Sequence, residues 1–139
     1  MRVESYEVEV ELEAEQGFAD ITGKVQELIA KSGMRQGIAV VFNVGSTGAV
    51  TTMEFEPGLK KDIPRALERV APRSESYQHH LTWGDDNGAA HVRAALLGPS
   101  LAVPFSSGKL VLGTWQQIVV INFDTRRRHR RVVVQLLGE

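Results

Sequence analysis

The segment Tyr6-Glu7-Val8-Glu9-Val10-Glu11-Leu12-Glu13 decides the fold class. Apolar side chains alternate with glutamates over eight residues, the period of a strand with one buried and one wet face. On a helix the same glutamates would be smeared around the cylinder. Four acids along one sheet face repel, so that face is expected to meet solvent or a basic neighbour. Downstream, Asp20 can cap a helix through Thr22–Ser32, with Val25, Leu28 and Ile29 at helical spacing and Gly33 as its stop. Residues 38–44 form a short, β-branched apolar run, hence a buried strand. Gly45-Ser46-Thr47-Gly48 interrupts it, and Ala49–Phe55 reads as another strand. Residues 60–71 have helical spacing, with Pro64 expected in the first turn, where its missing N–H is no loss. Pro72 ends that helix, residues 73–90 are polar and irregular, and Ala89–Leu97 is again helical. Strands are expected at Leu101–Phe105, at Lys109–Phe123 with Gly113 as a bulge, and at Arg131–Leu137. The sum is one α+β domain over residues 1–139. Its expected core is β-sandwich-like, of mostly antiparallel strands with two to three helices.

The chain has 139 residues, of which 42% are hydrophobic, enough for one core without a disulfide or a structural metal. Cysteine is absent, so thiolate nucleophiles, Cys-based zinc sites and iron–sulfur clusters are excluded. Sixteen basic against 17 acidic side chains give a net charge of −1, which does not suggest a nucleic-acid protein. The acidic, alternating N-terminus lacks the basic and apolar regions of a signal peptide, and no apolar run approaches the ~20 residues that span a bilayer. A soluble cytoplasmic protein with no membrane partner is expected.

Three of the four histidines fall in the polar stretch that holds His79, His80, Asp85, Asp86, Asn87 and His91. Imidazole and carboxylate together suit a divalent ion with an open position, or proton transfer near neutral pH. The spacing matches no metal motif, so a hydrogen-bonded loop stays open as the alternative. Read as strand residues, His79 and His80 face opposite ways, and one of them would enter a given site. Ser46 and Thr47, in a loop of small residues, could approach an anion with backbone N–H and hydroxyl groups; a plain hairpin turn is the bland alternative. Trp115, beside Gly113, reads as a core residue. Arg126–Arg131 holds five of the sixteen basic residues. It is expected at a hairpin tip, either solvated, clamping a phosphate, or pairing with the acidic strand of a neighbouring subunit. No aromatic residue interleaves it for base stacking, which argues against nucleic acid.

Taken in order, Tyr77-x-His79, Asp85-Asp86-Asn87, His91, Leu97-Gly98-Pro99-Ser100-Leu101, Pro104, Gly108-Lys109-Leu110, Gly113-Thr114-Trp115-Gln116 and a final strand ending Leu137-Gly138-Glu139 resemble the YjbQ family. The resemblance implies a small cytosolic α+β protein with a sandwich-like core. It implies a homotrimer with a metal or ligand pocket near the subunit boundary. It also implies secondary thiamine-phosphate synthase activity: hydroxymethylpyrimidine diphosphate condensing with thiazole phosphate, with loss of pyrophosphate. By carry-over, His79, Asp86 and His91 are the catalytic residues and the ligands of a divalent Mg or Zn ion. Ser46, Thr47, Asn87, Ser100 and Arg128 would hold the phosphorylated substrate. Much of the family has a His-Thr-Ser-Ala-type segment where this chain reads Gly45-Ser46-Thr47-Gly48-Ala49, without the histidine. A phosphate-binding trimer without catalysis, or a metal-assisted hydrolase, would use the same pocket.

Overall fold

Tyr6, Val8, Val10 and Leu12 turn inward along β1 (Arg2–Leu12), and Glu7, Glu9 and Glu11 turn to solvent. In this computed structural model, which describes Met1–Glu139, β1 pairs antiparallel with β8 (Arg128–Gly138). Beyond β8 lie β3 (Gln36–Val44), β5 (Ser100–Ser106) and the short β6 (Lys109–Leu110), completing a five-stranded antiparallel sheet in the order β1-β8-β3-β5-β6. A second sheet holds β2 (Gly17–Asp20), β7 (Gln117–Asn122) and β4 (Gly48–Met53), with β7 central. Helix α1 (Thr22–Ser32) packs at the sandwich edge, while α2 (Leu59–Val70), α3 (Gln78–Trp83) and α4 (Gly88–Leu97) complete the fold.

The main core lies between the sheets. Val8, Val41, Val132, Val134 and Leu136 of the large sheet meet Val50, Ile118 and Val120 of the small one, with Val25 and Ile29 of α1 closing the side. Strand β7 is buried on both faces: Val119, Ile121 and the following Phe123 form a second core with Ala90 and Ala94 of α4 and Leu67 of α2. That explains its unbroken apolar run, Ile118–Ile121. Helix α4 is alanine-rich because small side chains let it lie close against β4 and β7. The buried Arg93 on α4 donates from Nε to Ala71 O (3.0 Å) and from Nη2 to Glu68 (2.7 Å), tying α4 to α2.

The acidic face of β1 finds its basic neighbour within the chain. Arg131 donates to Glu7 (2.7 Å), His129 lies against Glu9 and Glu11, and Arg127 pairs with Glu11 and Glu13. A neighbouring subunit is not needed to neutralise it. Such exposed pairs add little stability but favour one register over its neighbours.

Several expectations change. Four helices form. The histidine pair lies on α3, so His79 and His80 do not alternate as on a strand. Helix α2 begins at Leu59, one residue before its expected start, and Pro64 falls inside it, past the first turn, on a mostly solvent-facing helix. Residues 109–123 are not one strand. The chain leaves the large sheet after Leu110, turns at Gly113, and joins the small sheet at Gln117. Gln116 closes this turn, accepting at Oε1 from the Gly113 N–H and donating from Nε2 to Thr52. Gly113 is therefore a turn residue, and Trp115 is exposed (71%) instead of in the core. The arginine-rich segment is no hairpin tip, because β7 and β8 belong to different sheets.

Candidate functional site: a cleft over a buried polar network

Three of the connections that carry the chain between the sheets are short: Glu13–Gln16, Gly45–Thr47 and Phe123–Arg127. They come together at one end of the sandwich, where polar side chains hold them. Asn122 Nδ2 donates to the carbonyls of Glu13 (2.9 Å) and Arg126 (3.0 Å), and the Phe123 N–H donates to Thr47 O (2.9 Å). The Glu15 N–H donates to Asp124 O at 2.7 Å. Gly45-Ser46-Thr47 is thus a corner between sheets, not a hairpin turn.

Asp124 is the hub of this network. Its buried carboxylate accepts from Arg128 Nε (2.9 Å), from Thr47 Oγ1 (3.0 Å) and from the Thr125 N–H (2.8 Å). Burial alone would push its pKa up; the bonds from Arg128, Thr47 and Thr125 together outweigh that and hold it at about 2. Thr47 accepts in turn from Arg130 Nη2 at 2.7 Å, and the same nitrogen donates to Asn122 Oδ1 at 2.6 Å. Arg130 is 5% exposed.

Above the network is a cleft of about 350 Å³ lined by Gly45, Ser46, Gly48, His91, Ala94, Ala95 and Pro99. One wall is the corner loop and the other is α4. The N–H groups of Gly45, Ser46 and Thr47 make no backbone hydrogen bond. Ser46 is exposed to the cleft while Thr47 is turned inward. His91 stacks against His79 with ring centroids 4.3 Å apart. Burial, and then the neighbouring His79, lower the pKa of His91, which favours its neutral form.

Asn87 sits between Asp124 and the His79–Asp85 pair. With Nδ2 toward Asp124 it donates at 3.4 Å, but its oxygen then faces the Asp85 carboxylate. Turned over, Nδ2 donates to Asp85 (3.0 Å) and to His79 Nε2 (3.1 Å). We assign the second orientation, since it keeps the 3.1 Å contact with His79, exchanges the 3.4 Å bond to Asp124 for one of 3.0 Å to Asp85, and removes the facing of oxygens at Asp85. His79 Nε2 then accepts, and lies 3.3 Å from Asp85 Oδ1. His80 is engaged elsewhere, accepting the Gly88 N–H at Nε2 (3.0 Å) and so fixing the start of α4.

The expected site residues therefore divide. His79, Asn87, His91 and Ser46 gather at or beside the cleft. Thr47 and Arg128 are committed to Asp124. Ser100 lines a separate cavity with Thr51, Thr52 and Gln116. Asp86 accepts from Thr125 Oγ1 (3.1 Å), and Asp85 takes its expected place beside His79. No three His, Asp or Glu side chains are grouped so as to hold a metal ion. His79, Asp86 and His91, as arranged, do not form a ligand set. Sequence reasoning missed Asn122 and Asp124, chose Asp86 over Asp85, and did not separate Arg130 from the rest of the arginine run. A signal for Arg130 was present: Val132, Val134 and Leu136 point inward, and the same parity carried back into the arginine run turns Arg130 and Arg128 inward too.

The family model for UPF0047 protein YjbQ-like matches residues 6–139. The chain belongs to the YjbQ-like family. A UPF0047 protein of Archaeoglobus fulgidus is 41% identical over 118 residues, covering 85% of this chain and 89% of that one. A crystal structure of a YbjQ-like protein of unknown function from Sulfolobus solfataricus superposes with a TM-score of 0.88 at 35% identity, covering 99% of this chain and 100% of that one. A hypothetical protein from Aeropyrum pernix gives 0.90 at 34% identity, with 98% and 99% covered. The YjbQ-like fold thus extends over the whole chain. No helix is long and apolar enough to cross a membrane.

Proposed function

We propose that the cleft binds a small phosphorylated metabolite and supports thiamine-phosphate formation from hydroxymethylpyrimidine diphosphate and thiazole phosphate. The observation that carries this reading is the corner loop, whose Gly45, Ser46 and Thr47 N–H groups make no backbone bond beside the neutral-leaning His91. Backbone N–H groups on a glycine-rich corner suit phosphoryl oxygens, and a small-residue loop lets them approach. In the reaction the thiazole nitrogen attacks the pyrimidine methylene carbon, and the carbon–oxygen bond to pyrophosphate breaks. Negative charge grows on the departing oxygen, where N–H donors give most help. In this scheme Ser46 and the loop hold the diphosphate, and the His79–His91 pair donates hydrogen bonds to it. Asn87, itself held by Asp85, orients His79. The protein works in the cytoplasm.

Exposed apolar side chains on the outer face of β3, Ile38, Phe42 and Val44, continue across to Val133 and support a homotrimer that covers this face. Incubation with both substrates and a divalent salt is expected to give thiamine phosphate and pyrophosphate in equal amounts. His91→Ala is expected to lower turnover by about 10²-fold with the fold intact. Absence of product with the wild-type protein would overturn the synthase reading.

A further inference from the structure

A second cavity, of about 350 Å³, lies apart from the cleft, between the edges of the two sheets. Consecutive residues of β5, Ser100–Pro104, and of β4, Val50–Thr52, line it. Side chains alternate along a strand, so an unbroken run of lining residues is the mark of a strand that presents its backbone edge. The volume is at the lower end for small-ligand sites, about that of one substituted ring.

The pairing pattern fixes which backbone groups face this space. Pro99 O accepts the Asn43 N–H, so residues 99, 101 and 103 turn their backbone groups toward β3. Ala102 therefore turns its N–H and C=O the other way, to the side where Pro104 O accepts the Val111 N–H (2.9 Å). On β4 the Val50 N–H leaves its sheet for Gly98 O (3.3 Å), so the Thr52 N–H and C=O also point away from β7. Strand β6 pairs only with Phe105 and Ser106, and β4 is the edge of its sheet, so neither Ala102 nor Thr52 has a strand partner here. The bonds at Pro104 and Val50 bound these free stretches, which leaves too short an edge for an added strand of several residues. None of the twelve lining side chains is charged, so an ionised ligand would lose hydration without gaining a counter-charge. Leu97, Leu101, Val111 and Leu112 supply apolar contact.

We propose that this cavity between the sheets binds an uncharged cyclic amide of nucleobase size, whose ring N–H and C=O pair with the C=O and N–H of Ala102. A lactam repeats the donor and acceptor of a peptide group, which is what a strand edge is built to meet. Thr52 lies across the cavity, where Gln116 Nε2 donates to its Oγ1 at 3.1 Å. The Pro99 side of the turn after α4 lines the cleft and the Ser100 side lines this cavity, so the two sites are separate. The proposal goes beyond the phosphoryl reading of the cleft and does not depend on it.

The test follows ¹H–¹⁵N backbone spectra of the wild-type protein at pH 7 during titration with uracil. Two matched rings are titrated beside it: orotate, which adds a carboxylate, and uracil methylated on both nitrogens, which lacks the donors. Uracil is expected to move the Ala102 and Thr52 amide resonances and to leave those of Gly45 and Ser46 in place. Both matched rings are expected to bind at least about fivefold more weakly. Ala102→Pro removes an N–H that the pairing with β3 does not use, and is expected to weaken uracil binding by at least about fivefold. Should that variant fail to fold, the three titrations of the wild-type protein decide alone. Unmoved Ala102 and Thr52 resonances up to the solubility limit of uracil overturn the proposal. So does equal affinity for either matched ring, or unchanged affinity in folded Ala102→Pro. Resonances that move with protein concentration and not with uracil identify a second copy of the chain as the occupant and also overturn it.

Discussion

Replacing Asp124 by Asn is the sharpest perturbation of the corner network. The side chain is 1% exposed, and its two oxygens accept from Arg128, Thr47 and the Thr125 N–H. An amide keeps one acceptor and puts an NH₂ group against donors in either orientation. It also leaves Arg128 and Arg130 without their shared negative charge. The folded-state pKa of about 2, against an ordinary 3.8, corresponds to about 2 kcal/mol of stability carried by the ionised form. Adding misplaced donors, Asp124→Asn is expected to cost about 3 kcal/mol at pH 7. Because the folded pKa is depressed, this contribution is full above pH 3.8 and is lost as pH falls through about 2. Urea unfolding of wild type and variant, followed side by side from pH 7 to pH 2, should show two curves that converge at the acid end. A difference under about 0.5 kcal/mol at pH 7, or curves that stay parallel to pH 2, would refute the reasoning.

Three further outcomes are expected. Gly37 and Gly138 face each other across β3 and β8, and a Cβ at Gly37 would fall 2.1 Å from Leu137 O. Gly37→Ala should therefore lower stability by about 2–3 kcal/mol in chemical denaturation, through forced strand separation. Bonds that His129 donates to Glu11 and then Glu9 raise its pKa, so its NMR titration midpoint should lie above 6.5 and move down in Glu11→Gln. The stabilisation His129 gives is full below the unfolded value of 6.5 and disappears as pH rises through the folded midpoint. His91 should titrate below 6.5 for the opposite reason, burial and then the neighbouring His79.

Much of the fold was legible because its periodicities were clean. The glutamate alternation placed β1, and the apolar stripe and Gly33 placed α1 at Thr22–Ser32 as observed, although the N-cap is Ile21 and Asp20, one residue earlier, accepts the Thr22 N–H. What failed had separate causes, the first being that continuity along the chain was read as continuity within one element. Lys109–Phe123 carries enough apolar residues for one strand, but Gln116 folds the chain over Gly113 and sends it to the other sheet. The arginine run looked like a solvated tip because charge outweighed parity in the reading, although Arg130 continues the inward row of Val132, Val134 and Leu136. The histidine-bearing segment lies beside the cleft, through His91 and the His79 packed against it. Its partners were not legible, because Asp85 and Asp86 are adjacent and only the turn into α4 decides which one faces His79. Asp124 follows an apolar strand with no motif around it, and only the meeting of three crossovers gives it a role.

The central claim is that the corner loop and His91 enclose a phosphoryl site. Crystals soaked in inorganic pyrophosphate test it most directly. The expected map shows the diphosphate in the cleft, within hydrogen-bonding reach of the Gly45–Gly48 loop and beside His91. A clean map there, with pyrophosphate instead on the outer Arg127–Arg131 row or bound nowhere, would contradict it.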